Sequence, residues 1–298
     1  MKNHSNSYVL LTVVAAAIGV LAADSANAQL YIYEPFDYTV GSGLNGQNGG
    51  YGFTGAWRNE TFAASTIVAG SLAGPAGLPT SGNHALLSGS LGTYNIFRDF
   101  PNISGADGTT TWISYIGQRV GPIQDPPTLP DNPYPRGVNV GFFNTEHPSR
   151  AERATIGNST DGATNAWSFI PTGSSSQIEQ SAVPFTDLAW VVLRIDHIGD
   201  ISVNDNAYMW VNPDPMVEPL IANADVTVLG TDSNGFDYSG LDYVRPFVGG
   251  VSGTRPYGEL LIDELRVAGS YVSLVPEPSS LTLIGLGLGA LLFRRARR

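Results

Sequence analysis

The sequence predicts an all-β fold of two antiparallel sheets packed face to face, and three observations carry that prediction. Turn-forming residues recur about every 8–15 positions through the middle of the chain. No segment holds a helical period over three turns. The stretches between turns have strand length and alternate apolar with polar residues, or run apolar throughout. About a dozen such segments without helices can bury their apolar faces only as a two-layer sandwich.

In chain order, LYIYEPFDY opens the domain, with Leu30, Ile32, Glu34 and Phe36 on one parity. The following GSGLNGQNGGYGFTGAW (41–57) is rich in glycine and asparagine, which reach positive φ at little cost, and reads as a loop. Strands are predicted at TFAASTIVAG, HALLSGS, YNIFRDF and TTTWISYIGQRV. After the proline-rich GPIQDPPTLPDNPYPRG (121–137) they resume at RGVNVGFFNT, RATIGNS, AWSFIP, DLAWVVLRIDHI, NAYMWVNP, LDYVRPFVGG and YGELLIDELRVAG. Proline lacks the ladder donor, so 121–137 is a connection, and strand-like sequence on both sides keeps it within one domain.

The two ends differ from the middle. Lys2, the apolar Tyr8–Ala23 and the small-x-small Ala26-Asn27-Ala28 predict a signal peptide over 1–28, cleaved between Ala28 and Gln29. At the other end Pro276-Glu277-Pro278 stops any strand, an apolar run Leu281–Phe293 follows, and Arg294, Arg295, Arg297 and Arg298 close the sequence. By length the run fits a buried helix as well as a membrane span. A core helix seldom ends in adjacent like charges, however, and arginines kept on the cytoplasmic side obey the positive-inside bias. This order of parts resembles the PEP-CTERM sorting signal of Gram-negative bacteria that make extracellular polysaccharide. The resemblance implies a sorting segment over 274–298 with a transmembrane helix held in the inner membrane. It also implies export by the secretion machinery, processing by an exosortase near Pro276–Pro278, and delivery to the cell surface or matrix. Residues 29–273 are left as one β-sandwich domain.

Composition fits that address. Cysteine is absent, so there is no disulfide and no thiolate metal site. Lys2 is the sole lysine, and the formal net charge is −11. So acidic a chain argues against nucleic acid as a partner and suits soluble glycans or divalent cations.

A second resemblance rests on YEPFDY, the GLNGQNGG and GFTGAW pieces of the loop, GADGTTTWISY, the VVLRID and YMWVNP pair, and the closing IDELRV. As an ordered set they resemble PEP-CTERM proteins of planctomycete or verrucomicrobial type that carry a concanavalin-like (laminin-G-like) jelly roll. What this implies is a fold, because such folds host lectins, glycosidases, lyases and spacers alike.

Two candidate sites follow. Glu34 and Asp263 each place a carboxylate on the apolar parity of its strand, with Leu261, Leu265 and Val267 beside Asp263. First and last strands of jelly rolls lie side by side, and two carboxylates brought together need a cation or an arginine between them. The concanavalin resemblance implies a structural calcium at these positions, completed by backbone and water oxygens. Pairing with arginine is the alternative. The second candidate is a glycan face made of Trp190, Arg194, Tyr208, Trp210 and Asn212, which share the parity opposite the core on two strands that can form a hairpin. Aromatic faces with guanidinium and amide donors suit sugar rings, while a covering loop would turn the same aromatics into core.

Signals for catalysis are absent. There is no E-x-D-x-x-E glycosidase arrangement, no G-x-S-x-G elbow and no cysteine nucleophile, and His84, His147 and His197 stand singly. TDSNGFD (Asp232, Asn234, Asp237) has the composition of a calcium loop without its spacing and reads as a solvated turn. The sequence therefore predicts an exported, non-catalytic sandwich, lectin-like and associated with extracellular polysaccharide. The alternatives are a polysaccharide-active enzyme on the same scaffold or a purely structural surface protein.

Overall fold

Alternating apolar residues and frequent glycine turns build strands throughout. In the computed structural model, which describes residues 29–59, 64–127, 131–144, 151–158, 164–171, 177–199 and 203–275, they are the dominant element. The strands are β1 (Leu30–Glu34), β2 (Arg58–Asn59), β3 (Ser65–Val68), β4 (His84–Ser88), β5 (Tyr94–Ile103), β6 (Thr110–Val120), β7 (Val138–Asn144) and β8 (Ala151–Asn158). They continue as β9 (Ser168–Ile170), β10 (Glu179–Gln180), β11 (Ala189–Asp196), β12 (Asn206–Val211), β13 (Val226–Val228), β14 (Leu241–Val248) and β15 (Glu259–Ala268). Every segment predicted as a strand contains one. The short β2, β10 and β13 escape prediction because two or three residues cannot display an alternation.

The strands form two antiparallel sheets, a jelly-roll sandwich. The eight-stranded sheet runs β13-β12-β11-β6-β15-β4-β3, with β1 also paired to β15, and the seven-stranded sheet runs β10-β9-β8-β7-β14-β5-β2. First and last strands are adjacent, as predicted, with Glu34 opposite Leu265. Between the sheets lies the main core, where Ile113, Tyr115, Val191, Leu193, Leu260 and Ile262 meet Tyr94, Ile96, Val140, Phe142, Ile156 and Val244. The proline-rich 121–137 joins β6 to β7 within this domain.

One loop is locked by a buried charge. Glu34, fully buried, accepts hydrogen bonds from Trp57 Nε1 (2.8 Å), Tyr38 Oη (2.8 Å) and the Phe36 amide (2.9 Å), and pairs with Arg98. Arg98 in turn donates to the carbonyls of Gly49 and Gly55. The 41–57 loop is thereby fastened to β1 and β5. Gly52, at φ +81°, crosses Tyr31 so closely that a Cβ would stand 1.8 Å from its carbonyl oxygen.

Among the described residues no helix is long and apolar enough to cross a membrane. Ala28 and the rest of 1–28, Pro276, Glu277, Pro278, the 281–293 run, Arg294, Arg295, Arg297 and Arg298 lie outside the described residues. Gln29 is inside them, and its carbonyl accepts the Gly269 amide at 2.8 Å.

Candidate functional site

The hairpin β11–β12 brings the predicted aromatic face together, with Trp210 opposite Val192 and Tyr208 opposite Arg194. The face is sealed, however. Trp190, Tyr208 and Trp210 belong to a second apolar cluster with Trp112, Tyr271, Leu72, Leu78 and Leu274. A 3-10 turn, Tyr271–Leu274, lies over it. Tyr271 stands 5.2 Å from Trp112 and 6.1 Å from Trp190, ring to ring, and its hydroxyl donates to the Asp214 carbonyl. The Trp210 indole donates to the Leu220 carbonyl at 3.3 Å. Asn212 spends its side chain on the Trp190 amide (2.9 Å), and Arg194 pairs with Asp196 and Glu218 while covering Trp112. The expected glycan face is thus corrected to a second core, because the chain after β15 and the segment after β12 cover what parity alone leaves open.

The expected pairing of Glu34 with Asp263 is corrected as well. Glu264 sits at φ +53° in a bulge of β15, so Leu265 and Val267 face the main core while Leu261 and Asp263 face the other way. The two carboxylates lie on opposite sides of the sheet. Glu34 answers to Arg98, the arginine alternative, and burial pushes its carboxyl upward while Trp57, Tyr38 and Arg98 oppose the shift. Asp263 accepts from Ser71 Oγ and from the Leu72 (2.8 Å) and Glu264 (2.8 Å) amides. Burial raises its carboxyl to about 7, against the hydrogen bonds from Ser71 and Leu72. Glu264 pairs instead with Arg266. Among the described residues no three His, Asp or Glu side chains gather as metal ligands. The 232–237 segment is a turn: Asp232 accepts the Leu229 amide, and Asp237 accepts the Ser239 amide and hydroxyl.

His197 does find partners. Its ring bridges Asp205 Oδ2 (3.0 Å) and Thr111 Oγ1 (2.9 Å), the order of a hydroxyl–imidazole–carboxylate relay. All three residues are buried, and Asp205 is further occupied by the Ile198 and Tyr238 amides. So placed, the trio fastens β6 to the turn before β12.

Among the described residues a further polar-aromatic cluster lies on the outer face of the seven-stranded sheet. Alternation sends Val138, Val140, Phe142, Val244 and Val248 into the core, which leaves Asn139, Phe143, Tyr243, Arg245 and Phe247 pointing outward. Phe97, Phe143 and Tyr243 form a cluster: Tyr243 stacks on Phe97 (5.1 Å) and meets Phe143 edge-on (5.1 Å). A guanidinium–carboxylate pair flanks it on each side. Arg58 holds both oxygens of Asp99 (2.8 and 2.9 Å) and lies over Phe97 and Tyr243. Arg245 holds Glu152 at 2.9 Å and lies over Phe143 and Phe247. The floor is dry and the rim is wet, since Tyr243 is 7 % exposed while the Arg58 side chain is 50 % exposed. Asn139, 9 % exposed, turns a buried amide oxygen that has no hydrogen-bond partner toward this side. A Cβ on Gly141 would meet Glu152 Oε1 at 2.5 Å, so glycine there is what lets the acid lie across the floor. The signal that finds this site in the sequence is the parity opposite the valines in VNVGFFN and LDYVRPFV.

Residues 274–298 match the PEP-CTERM protein-sorting motif, which implies exosortase-dependent sorting and export to the cell envelope. No curated protein matches the chain. Among solved structures, the fold is similar to the endo-β-1,4-glucuronan lyase of the fungus Trichoderma reesei, at 12 % identity and a TM-score of 0.46, over 80 % of this chain and 99 % of that one. It is similar to the endo-1,3-β-glucanase of Streptomyces sioyaensis, at 12 % identity and 0.45, over 82 % and 96 %. It is also similar to the winged bean acidic lectin in complex with methyl-α-D-galactose, at 8 % identity and 0.39, over 80 % and 98 %.

Proposed function

We propose that this exported protein binds extracellular polysaccharide without cleaving it, on the outer face of the seven-stranded sheet. The observation that supports this is the Phe97–Phe143–Tyr243 cluster set between the Arg58–Asp99 and Arg245–Glu152 pairs. Sugar rings have apolar faces and polar edges; the part-exposed Phe247 beside the buried cluster offers a partner for the first, and the Arg58–Asp99 and Arg245–Glu152 pairs offer partners for the second.

The same geometry disfavours hydrolysis by a carboxylate pair. Asp99, Tyr243, Phe143 and Glu152 stand in one row across four adjacent strands. Three strand spacings put the two acids about 14 Å apart, beyond the roughly 5–9.5 Å that glycosidase carboxylates span. Each acid is also neutralised by an arginine.

A polysaccharide array followed by affinity electrophoresis tests the proposal. Wild-type protein is expected to be retarded by at least one polymer, and Tyr243→Ala and Arg245→Ala, shown folded by circular dichroism, are expected to migrate freely. Undiminished retardation of both folded variants would remove the site from this face. Release of reducing ends or of unsaturated sugars from the bound polymer would make the protein an enzyme.

A further inference from the structure

At the end of the sandwich where the proline-rich connection returns to β7, two arginines converge without an acid. Arg119 lies on β6 opposite Leu260 and is 1 % exposed. Its Nη1 donates to the Arg136 carbonyl at 2.6 Å, and its guanidinium covers the Tyr134 ring at 4.7 Å. Its Nε and Nη2 are buried and have no hydrogen-bond partner, and the same holds for Nε of Arg136. Among the described residues no ion pair involves either side chain, whereas the comparably buried Arg98 and Arg266 each hold a glutamate.

The unused atoms share one neighbourhood. A Cβ on Gly258 would lie 3.6 Å from Arg119 Nη2 and 3.4 Å from the Gly137 carbonyl. A Cβ on Gly249 would lie 3.1 Å from Arg136 Nε and 3.3 Å from that same carbonyl. The unused donors thus border the Gly137 carbonyl and the two glycines, with Val138 Cγ2 packed against Gly258, where a Cβ would meet it at 2.5 Å. Burial without an anion brings the Arg119 guanidinium down to about 9. The unused edge of Arg119 also has a particular shape. Nε–H and Nη2–H point in parallel from one side of the guanidinium plane, the spacing that takes both oxygens of a carboxylate.

We propose that Arg119 and Arg136 form an internal site for one small planar oxyanion of the carboxylate class, held side-on by Arg119 Nε and Nη2 and completed by Arg136 Nε. The site is separate from the polysaccharide face and stands whether or not that face binds sugar. Its depth restricts it to free small anions and excludes the carboxylate of a sugar within a polymer.

The test uses the full chain at constant ionic strength, with formate, chloride or uronic-acid oligosaccharides bearing free carboxylates as probes. Formate is expected to raise the melting temperature saturably above the value in chloride, as a ligand confined to the folded state must. Arg119→Lys, which keeps the charge but not the fork, is expected to lose that increment, and Arg136→Met to weaken formate severalfold. Equal shifts in formate and chloride, or equal shifts in wild type and Arg119→Lys, would overturn the assignment. So would a polymer-borne carboxylate that competes with formate. Should Arg119→Lys fail to fold, saturable line broadening of carbon-13 formate by the wild-type protein decides the matter, and its absence refutes the site.

Discussion

Trp210 and Tyr243 occupy comparable places, each turned outward from its sheet, yet their surroundings differ in kind. Around Trp210 the outer face of the eight-stranded sheet is filled with Trp112, Trp190 and Tyr271 and sealed by the 271–274 turn. Around Tyr243 the outer face of the seven-stranded sheet carries ion pairs whose charged ends reach water. The comparison teaches that outward parity does not make a surface. What decides is whether the chain has spare segments to lay over it. The segment after β12 and the segment after β15 both fold onto one sheet, whereas on the other the buried aromatics lie beneath guanidinium groups, of which Arg58 is half exposed.

The largest effects are expected where burial is deepest. Arg98→Met leaves the buried Glu34 carboxylate without its counter-charge and releases the 41–57 loop, at an expected cost of about 3–5 kcal/mol. Trp210→Ala opens a cavity in the sealed cluster at a similar cost, about 3–5 kcal/mol. Urea titration reads both. If Trp210→Ala proved nearly neutral while abolishing polysaccharide retention, the roles of the two faces would have to be exchanged.

The sealed side carries the next effect, a dependence on pH. Asp263 has an ordinary value near 3.8 and is raised by burial to about 7 in the fold. The stability it contributes is therefore whole below about pH 4 and is lost as pH climbs through about 7. The difference in stability between wild type and Asp263→Asn is expected to fall across that window by an amount on the order of 3 kcal/mol. A difference that stays flat between those limits would mean that Asp263 ionises freely in the fold.

These residues also show what the sequence can and cannot reveal. Strand positions were legible because alternation and turns are local, and the adjacency of first and last strands followed from the fold class. The Glu34–Asp263 pairing failed at one residue, since Glu264 takes a left-handed backbone that shifts parity within IDELRV, a run with no glycine to mark it. The sealed face failed for another reason. Trp190, Tyr208 and Trp210 have the same outward parity whether open or covered, and the cover comes from Asp214–Leu220, which follows β12, and from Tyr271 after β15, neither of which strand parity reports. Phe97, Phe143 and Tyr243 lie on three strands, so their meeting depends on strand order, which no single segment encodes.

The smallest effect sharpens the comparison most. In the Arg58–Asp99 pair one nitrogen, Nη2, reaches both carboxylate oxygens and the pair is half in water; exposed pairs contribute about 0–1 kcal/mol. Arg58→Met is therefore expected to leave the urea midpoint nearly unchanged. The same substitution removes a guanidinium from above Phe97 and Tyr243, so polysaccharide retention should weaken and its dependence on salt should diminish. A face kept for binding gives this split, with function lost and stability retained. On the sealed sheet, Trp210→Ala should lower stability and leave retention by the remaining folded protein intact. Observing the split on the wrong sheet, or on neither, would mean that exposure of Arg58 reflects only an uncovered edge of the fold.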